Sequence, residues 1–386
     1  YGRLESEEMI IILLLGILAV SALWEICYKH RWSKEITVKL WFETDAVYAG
    51  QQTRLYEVIE NRKAMPVPVL EVGFHTRKEL VFVDVDNTNV SDYCYKRDVF
   101  SVLGRQKITR ELPVRCTKRG KYIASDADIM THTLLFRRRY SKGIGTEAVL
   151  YVYPKMTQVS EIMTVCESML GTLQCAKRLY EDPFAFRSIR DYTMDDPMKS
   201  INWKASARTG ALMVNTFDSV RSQKAMIFLD VEDRGILRYE DLVEESIALA
   251  ATLMRRLLRQ HIEVGFVYNG DSRQVFLPEN NKRNLIIFER MLAEYDKEQD
   301  TESFARLLQR LFADDFAKKP LSPDTLCLFI TKNLNEPLFE QIRASAGEHQ
   351  TLIVAPVYRG EKAAWSSAAV KSRENIQILV KEVGRE

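Results

Sequence analysis

Acidic and hydroxyl side chains gather where two apolar runs end. Asp230, Glu232 and Asp233 follow KAMIFL, and Thr331, Lys332 and Asn333 follow TLCLFI. Oxygen donors in such places can build a divalent-cation site, or a hydrolase in which a carboxylate activates water. A second concentration lies at residues 189–214, IRDYTMDDPMKSINWKASARTGALMV. It combines four basic side chains, three Asp and the only Trp between residues 42 and 364, with no His or Cys. Three uses compete for it. Nucleophilic catalysis needs a base beside the nucleophile, and Ser206 has no His or other supporting pair near it in the sequence. A nucleic-acid surface would use Arg190, Tyr192, Trp203, Lys204 and Arg208 as charges and stacking rings, against the repulsion of Asp191, Asp195 and Asp196. A structural clasp would pair Arg190 and Arg208 with those Asp side chains and bury the Trp203 ring between two domains. The clasp uses both signs of charge and is the expected reading.

The rest of the composition narrows the field. The six Cys (27, 94, 116, 166, 175 and 327) have no C-x-x-C spacing, and the five His are scattered, which argues against a zinc site and a disulfide-dense secreted fold. Reduced thiols are expected. With 55 Lys and Arg against 53 Asp and Glu, the net charge of +2 provides no global field for nucleic acid, so no nucleic-acid partner is expected.

At 386 residues the chain exceeds what one compact core usually supports and calls for several domains to hold these groups. Residues 1–33 read as a membrane anchor, with a span at about 9–28, MIIILLLGILAVSALWEICY, interrupted only by Glu25. A cleaved signal ending near Val20-Ser21-Ala22 is the rival, but Glu5, Glu7 and Glu8 stand where a signal peptide needs positive charge. Lys29, Arg31, Lys34 and Lys39 follow the span against a lone Arg3 before it, so the bulk of the chain is expected in the cytoplasm. The chain begins with Tyr1, which leaves room upstream for further residues and a second span.

Residues 34–155 alternate apolar and polar positions in short runs such as QTRLYEVIEN and KITRELPVRC, broken at Gly50, Asn61, Asn87 and Gly104. Seven or eight half-buried strands forming an immunoglobulin-like β-sandwich are expected. The basic run LFRRRYSKG, with Arg137, Arg138, Arg139 and Lys142, reads either as a phosphate patch or as a solvated face near an anionic leaflet. Residues 156–222 form a connecting region. From 223 to 386 the period changes, and strands alternate with helices. Val243, Ile247, Ala250, Met254 and Leu257 share one helix face. A mainly parallel, three-layer α/β (Rossmann-like) domain is expected, with ligands at the carboxyl ends of its strands, among Asp230, Glu232, Asp233, Thr331 and Asn333.

Within the connecting region, DDPMKSINWKASARTG reads as one helix, capped by Asp196, with Pro197 at its first position and Gly210 ending it. Arg190, Tyr192, Asp195, Asp196, Pro197, Ile201, Trp203, Lys204, Ser206, Ala207, Arg208, Thr209 and Gly210 make up a pattern that resembles the signature of the family called domain of unknown function number fifty-eight. The resemblance implies an N-terminal anchor, a β domain and a C-terminal von Willebrand factor A-like domain, and it implies a MoxR-type AAA+ ATPase as partner. The activity of that family is undefined. A factor A domain binds Mg²⁺ through Asp-x-Ser-x-Ser after its first strand. Here the stretch reads Asp230, Val231, Glu232, Asp233, Arg234, with both Ser replaced. No cofactor is therefore expected, Mg²⁺ is disfavoured, and an ion pair of Arg234 with these carboxylates is expected instead. The resulting expectation is a membrane-anchored scaffold or adaptor for an ATPase in envelope assembly or stress physiology. It is more plausibly not an enzyme, with a carboxylate hydrolase and a nucleic-acid binder as the alternatives.

Overall fold

The computed structural model describes residues 2–386 apart from 84–87, 91–92, 133–137, 179–185, 195, 197, 218–222, 234–237, 271–273, 297–300, 317–319, 334, 361–374 and 385–386. It divides into two compact units, Tyr1–Lys155 with Leu292–Glu294, and Met156–Met291 with Tyr295–Glu386.

The first unit opens with helix α1 (Gly2–Arg31). Large apolar side chains from Met9 to Ile26 are exposed around its circumference, and it is one helix long and apolar enough to cross a membrane. A signal sequence has the same character. Arg138 Nε stands 3.6 Å from Glu25 Oε1, giving the one charge inside the apolar stretch a counter-ion.

Eleven strands follow: β1 (Ile36–Phe42), β2 (Ala46–Tyr48), β3 (Gln52–Asn61), β4 (Val67–Arg77), β5 (Leu80–Phe82), β6 (Thr88–Val90), β7 (Tyr93–Val102), β8 (Lys107–Cys116), β9 (Gly120–His132), β10 (Arg139–Ile144) and β11 (Ala148–Tyr153). One sheet runs β1-β3-β8-β5. The other runs β2-β11-β9-β4-β7-β6, with β10 paired to β9. Every pairing is antiparallel except β11 with β2. Alternate residues point inward, and Leu55 and Leu112 from one sheet share a core with Phe74, Ala124 and Leu150 from the other, which makes a β-sandwich. The alternation located most of these strands. The short β2, β6 and β10 lacked enough period-two signal to be read. A second apolar cluster takes in Tyr28 near the end of α1 and Trp32 just after it, where the Tyr28 hydroxyl meets Thr131 Oγ1 at 2.9 Å. The basic run contributes partly to β10, with Arg139 3.3 Å from Glu71; Arg137 lies outside the described residues.

Between the two apolar clusters, inward-facing positions of β3, β7 and β8 carry Glu57, Lys96, Asp98 and Arg110. Arg110 reaches Asp98 at 2.8 Å and Lys96 lies 3.9 Å from it. Glu57 is 1% exposed, and neither of its carboxylate oxygens has a hydrogen-bond partner among the described residues.

The second unit begins with residues 156–159, which lie against its own α/β layers. Helix α2 (Ser160–Arg178) comes next, burying Ile162, Met163, Cys166, Met169 and Leu170. A hairpin of β12 (Phe186–Asp191) and β13 (Met213–Phe217) encloses helix α3 (Trp203–Thr209). The α/β part consists of β14 (Lys224–Leu229), α4 (Glu240–Arg259), β15 (Glu263–Tyr268), β16 (Phe276–Glu279), α5 (Lys282–Glu294), α6 (Phe304–Arg310), β17 (Thr325–Ile330), α7 (Glu336–Ala346), β18 (Thr351–Tyr358) and β19 (Ile376–Val383). The sheet order is β16-β15-β14-β17-β18-β19, parallel except for β16.

Counted within the sheet, this is order 3-2-1-4-5-6, a doubly wound sheet whose direction of winding reverses between its first strand, β14, and its fourth, β17. Helices cover both faces. Phe228, Phe329 and Cys327 pack with Leu307 of α6 and Ile342 of α7, while the other face meets α4, whose Val243, Ile247, Ala250, Met254 and Leu257 are all buried. That is why β17 and β18 are buried throughout and, after the threonine that opens each, apolar at every position. The ring centroids of Phe228 and Phe329 stand 4.5 Å apart in a near-parallel stack across the central strands. Burying each such side chain contributes roughly 1.5–3 kcal/mol.

Candidate functional site

The winding reversal opens a crevice position at the carboxyl ends of β14 and β17, and the polar residues after those strands meet there. Asp230 is 1% exposed and Thr331 is fully buried. Asp230 Oδ1 accepts from Asn269 Nδ2 at 2.9 Å and from the Glu232 backbone N–H at 2.9 Å. Asp230 Oδ2 accepts from Thr331 Oγ1 at 2.7 Å and Asn333 Nδ2 at 3.1 Å. Burial pushes the Asp230 carboxyl above its usual range, with Glu232 adding to the rise, against the opposing hydrogen bonds of Thr331, Glu232 N–H and Asn333.

Both amides are held in one orientation. Asn269 Oδ1 accepts from Val231 N–H at 2.8 Å, and Asn333 Nδ2 also donates to the Glu232 carbonyl at 2.6 Å. Glu232 Oε2 caps the start of α6 by accepting from Phe304 N–H at 3.0 Å. Lys332 Nζ sits 2.7 Å from Asp233 Oδ1 and 3.1 Å from Asn333 Oδ1, with its side chain 4% exposed. Asp233 in turn accepts from Tyr239 N–H at the entry to α4.

Divalent ions take oxygen lone pairs, and the Asp230 carboxylate meets them with four occupied positions. The groups turned toward it are N–H and O–H donors, and the neighbouring Asp233 is already paired with the Lys332 ammonium. The residues present therefore do not fit Mg²⁺ in this arrangement. Among the described residues, no group of three or more His, Cys, Asp and Glu side chains is placed to hold a metal ion.

The structure brings together Asp230, Glu232, Asp233, Thr331 and Asn333, and corrects how they were expected to act. Asp230 and Thr331 are closed inside the network, because a carboxylate desolvated at the end of a central strand is tolerated only when neighbouring loops supply donors. They cannot touch a partner directly. Arg234 lies outside the described residues, and the ion pair observed at Asp233 is made by Lys332. Asn269 was missed. Its signal was a single amide ending the apolar run VGFVY, which reads equally well as a turn residue.

The 189–214 stretch forms a small module of its own. Arg190 grips Asp196 with two hydrogen bonds, of 2.6 and 2.5 Å, and Thr193 donates to the same carboxylate through N–H and Oγ1. Arg190, followed by the two Thr193 donors, holds the Asp196 carboxyl far below its usual range. Asp195 and Pro197 lie outside the described residues, as does any role expected of them. Tyr192 is half-buried, its N–H donating to the Leu212 carbonyl.

The expected single helix is divided. Met198–Ser200 makes one 3₁₀ turn. Ile201 then bridges to Val214 and Asn202 N–H donates to the Met213 carbonyl, pulling the backbone out of helical geometry. Asn202 caps α3 by accepting from Ala205 N–H, and Gly210 ends it at φ 74°. Asp196 is not the cap, since Arg190 and Thr193 occupy its oxygens.

Trp203 corrects the clasp. Its side chain is 65% exposed. Helix α3 turns its Ala205–Ser206 edge inward, where Ser206 Oγ donates to the Asn202 carbonyl and accepts from Met213 N–H, both at 2.8 Å. Trp203, Lys204, Ala207 and Arg208 are left on the outer face. Arg208 makes no ion pair among the described residues, whereas Arg190 pairs as expected.

A family model described as "Protein of unknown function DUF58" matches residues 188–363, from the hairpin through most of the α/β sheet. A curated relative from Bacillus subtilis (strain 168), "Uncharacterized protein YeaD", is 21% identical over 231 residues. The alignment covers 60% of this chain and 55% of that relative, so the chain spans about half the length of the protein it matches. Among solved structures, the CARDB domain of the PF1109 protein from Pyrococcus furiosus is similar at 11% identity and a TM-score of 0.19, covering 29% of this chain and 94% of that one. A non-cellulosomal cohesin from Archaeoglobus fulgidus is similar at 11% identity and a TM-score of 0.22, covering 33% and 97%. At such scores these likenesses bear on neither fold nor function, and the sandwich is defined by its own strand pairing.

Proposed function

We propose that this chain is a membrane-anchored adaptor of the DUF58 family, its soluble bulk cytoplasmic, its sandwich immunoglobulin-like, and its α/β unit a von Willebrand factor A-like domain that works without metal. One observation carries the reading. The acidic residue at the winding reversal has every oxygen position occupied by protein donors, and its acidic neighbour Asp233 is paired with an internal ammonium, Lys332. Among the described residues such a site leaves Asp230 no open ligand position and no free lone pair to activate water, which disfavours a hydrolase there. What remains is a rigid strand-end surface suited to protein contact.

The partner is a MoxR-type AAA+ ATPase, and the setting is envelope assembly or stress physiology. Docking falls to exposed residues on the rim of the strand ends, such as Arg238 and Glu336. The test is crosslinking or pull-down of full-length protein with a co-expressed MoxR-type ATPase, comparing the parent with an Arg238→Glu, Glu336→Lys double variant. Capture reduced by the variant supports the reading. Equal capture moves the docking surface elsewhere, and hydrolytic turnover lost on Asp230→Asn would establish an enzyme instead.

A further inference from the structure

We infer that the outer face of the α3 module is a contact surface for an anionic lipid bilayer. Met198, Trp203 and Leu212 are 71, 65 and 46% exposed within fifteen residues of chain, although each would ordinarily seek cover. Lys199, Lys204 and Arg208 are exposed among them, and their side chains form no ion pair or hydrogen bond among the described residues. The module's Asp196 is already engaged by Arg190 and Thr193, which leaves Asp191 as the exposed acid opposing three bases among the described residues.

The chemistry favours lipid over a folded partner. A Trp ring has an apolar body and a polar N–H, the combination that accumulates at the membrane interface. Lys and Arg can lay their methylene stems on apolar surface while their charges reach phosphate, and each such residue near an anionic surface strengthens binding about fivefold. Trp203, Lys204, Ala207 and Arg208 repeat at helical spacing on one side of α3, so ring, small residue and two charges face outward together. A chain with a helix long and apolar enough to cross a membrane would hold this face close to the bilayer, where a weak contact suffices. The inference thus rests on the anchoring proposed above, while the surface itself is a separate feature.

The test uses the full chain carrying Cys27→Ser, Cys175→Ser and Ala207→Cys, with a nitroxide on residue 207. The protein is reconstituted into phosphatidylcholine vesicles with and without phosphatidylserine. Flotation with the vesicles reads the anchor, and the accessibility of the nitroxide to oxygen and to a polar nickel chelate reads the surface. The expected result is that phosphatidylserine raises oxygen access and lowers nickel access. High salt or Lys204→Glu should reverse the change, the latter weakening contact at least about fivefold. Protein that floats while its label stays equally nickel-accessible in both lipids would overturn the inference and spare the anchor. Failure to float would overturn the anchoring. Shielding that is already complete in lipid-free detergent would assign the face to a protein contact and overturn the lipid reading.

Discussion

Thr331 Oγ1 donates to Asp230 Oδ2 at 2.7 Å, tying together the ends of two adjacent parallel strands whose residues are 101 positions apart in the chain. The bond lies at the reversal of the sheet's winding, and it makes the carboxylate part of the fold's interior. Asp230→Ala would leave the Thr331 hydroxyl without its acceptor and remove one of two acceptors from each of the Asn269 and Asn333 amides, and a buried orphan costs about 1–3 kcal/mol while each other lost hydrogen bond costs about 0.5–1.5 kcal/mol. Denaturation of the α/β unit should shift by at least about 2 kcal/mol. Calorimetry on the parent should give no Mg²⁺ or Mn²⁺ binding. A low-micromolar dissociation constant, lost in this variant, would falsify the metal-free reading.

Removal of the Lys332 ammonium should be as harmful as removal of Asp230. Its side chain is 4% exposed against Asp233 at 2.7 Å. Breaking one half of a buried pair typically costs about 3–5 kcal/mol. Lys332→Met is therefore expected to destabilise the unit, with Lys332→Met, Asp233→Leu recovering part of the loss. Equal stability of the single variant and the parent, measured by urea denaturation, would show that the pair is not maintained in solution.

In the signature module, stability should follow Ser206 and not Trp203. An exposed side chain that touches no special feature contributes within about 0.5 kcal/mol, so Trp203→Ala should melt like the parent. Ser206→Ala leaves Met213 N–H without its acceptor, a loss of about 1–3 kcal/mol. Amide hydrogen exchange at Met213 reports the difference directly.

Glu57 predicts a pH effect confined to the sandwich. Burial first, then Asp98, raises its carboxyl to about 7, against the pull of Arg110 and Lys96. Because the folded value lies above the unfolded one, the native state holds the proton more tightly, and stability falls as pH rises from about 4.5 through 7. The full effect is about 3 kcal/mol. Glu57→Gln should abolish that slope, so its advantage over the parent should grow by this amount between mildly acidic and mildly basic solution. Hydrogen exchange of β3 amides against pH is the measurement, and parallel profiles for the two proteins would sink the assignment.

The proposed topology is tested by labelling Lys118→Cys, at an exposed turn between β8 and β9, in intact cells. An impermeant maleimide should leave it unmodified until lysis. Modification without lysis would place the bulk of the chain on the other side of the membrane.

Local pattern was enough to determine many of the elements, though not the short β2, β6 and β10 or the break that precedes α3. Period-two alternation marked β3 and β8 residue for residue, unbroken apolar runs marked β14, β17 and β18, and the spacing of Val243, Ile247, Ala250, Met254 and Leu257 marked the buried face of α4. The acidic and hydroxyl residues of the strand-end site were legible as well, because polar side chains directly after buried strands stand out. Tertiary structure decided which partners those residues have. Asn269 and Lys332 enter the Asp230 network only because β15, β14 and β17 lie side by side, and no sequence spacing encodes that adjacency. Trp203 followed the same rule in reverse. Its burial depended on which edge of a seven-residue helix faces β13, and that was fixed by the Ser206 hydroxyl bonding to Met213 and by Ile201 bridging to Val214, contacts that exist only once the hairpin has closed.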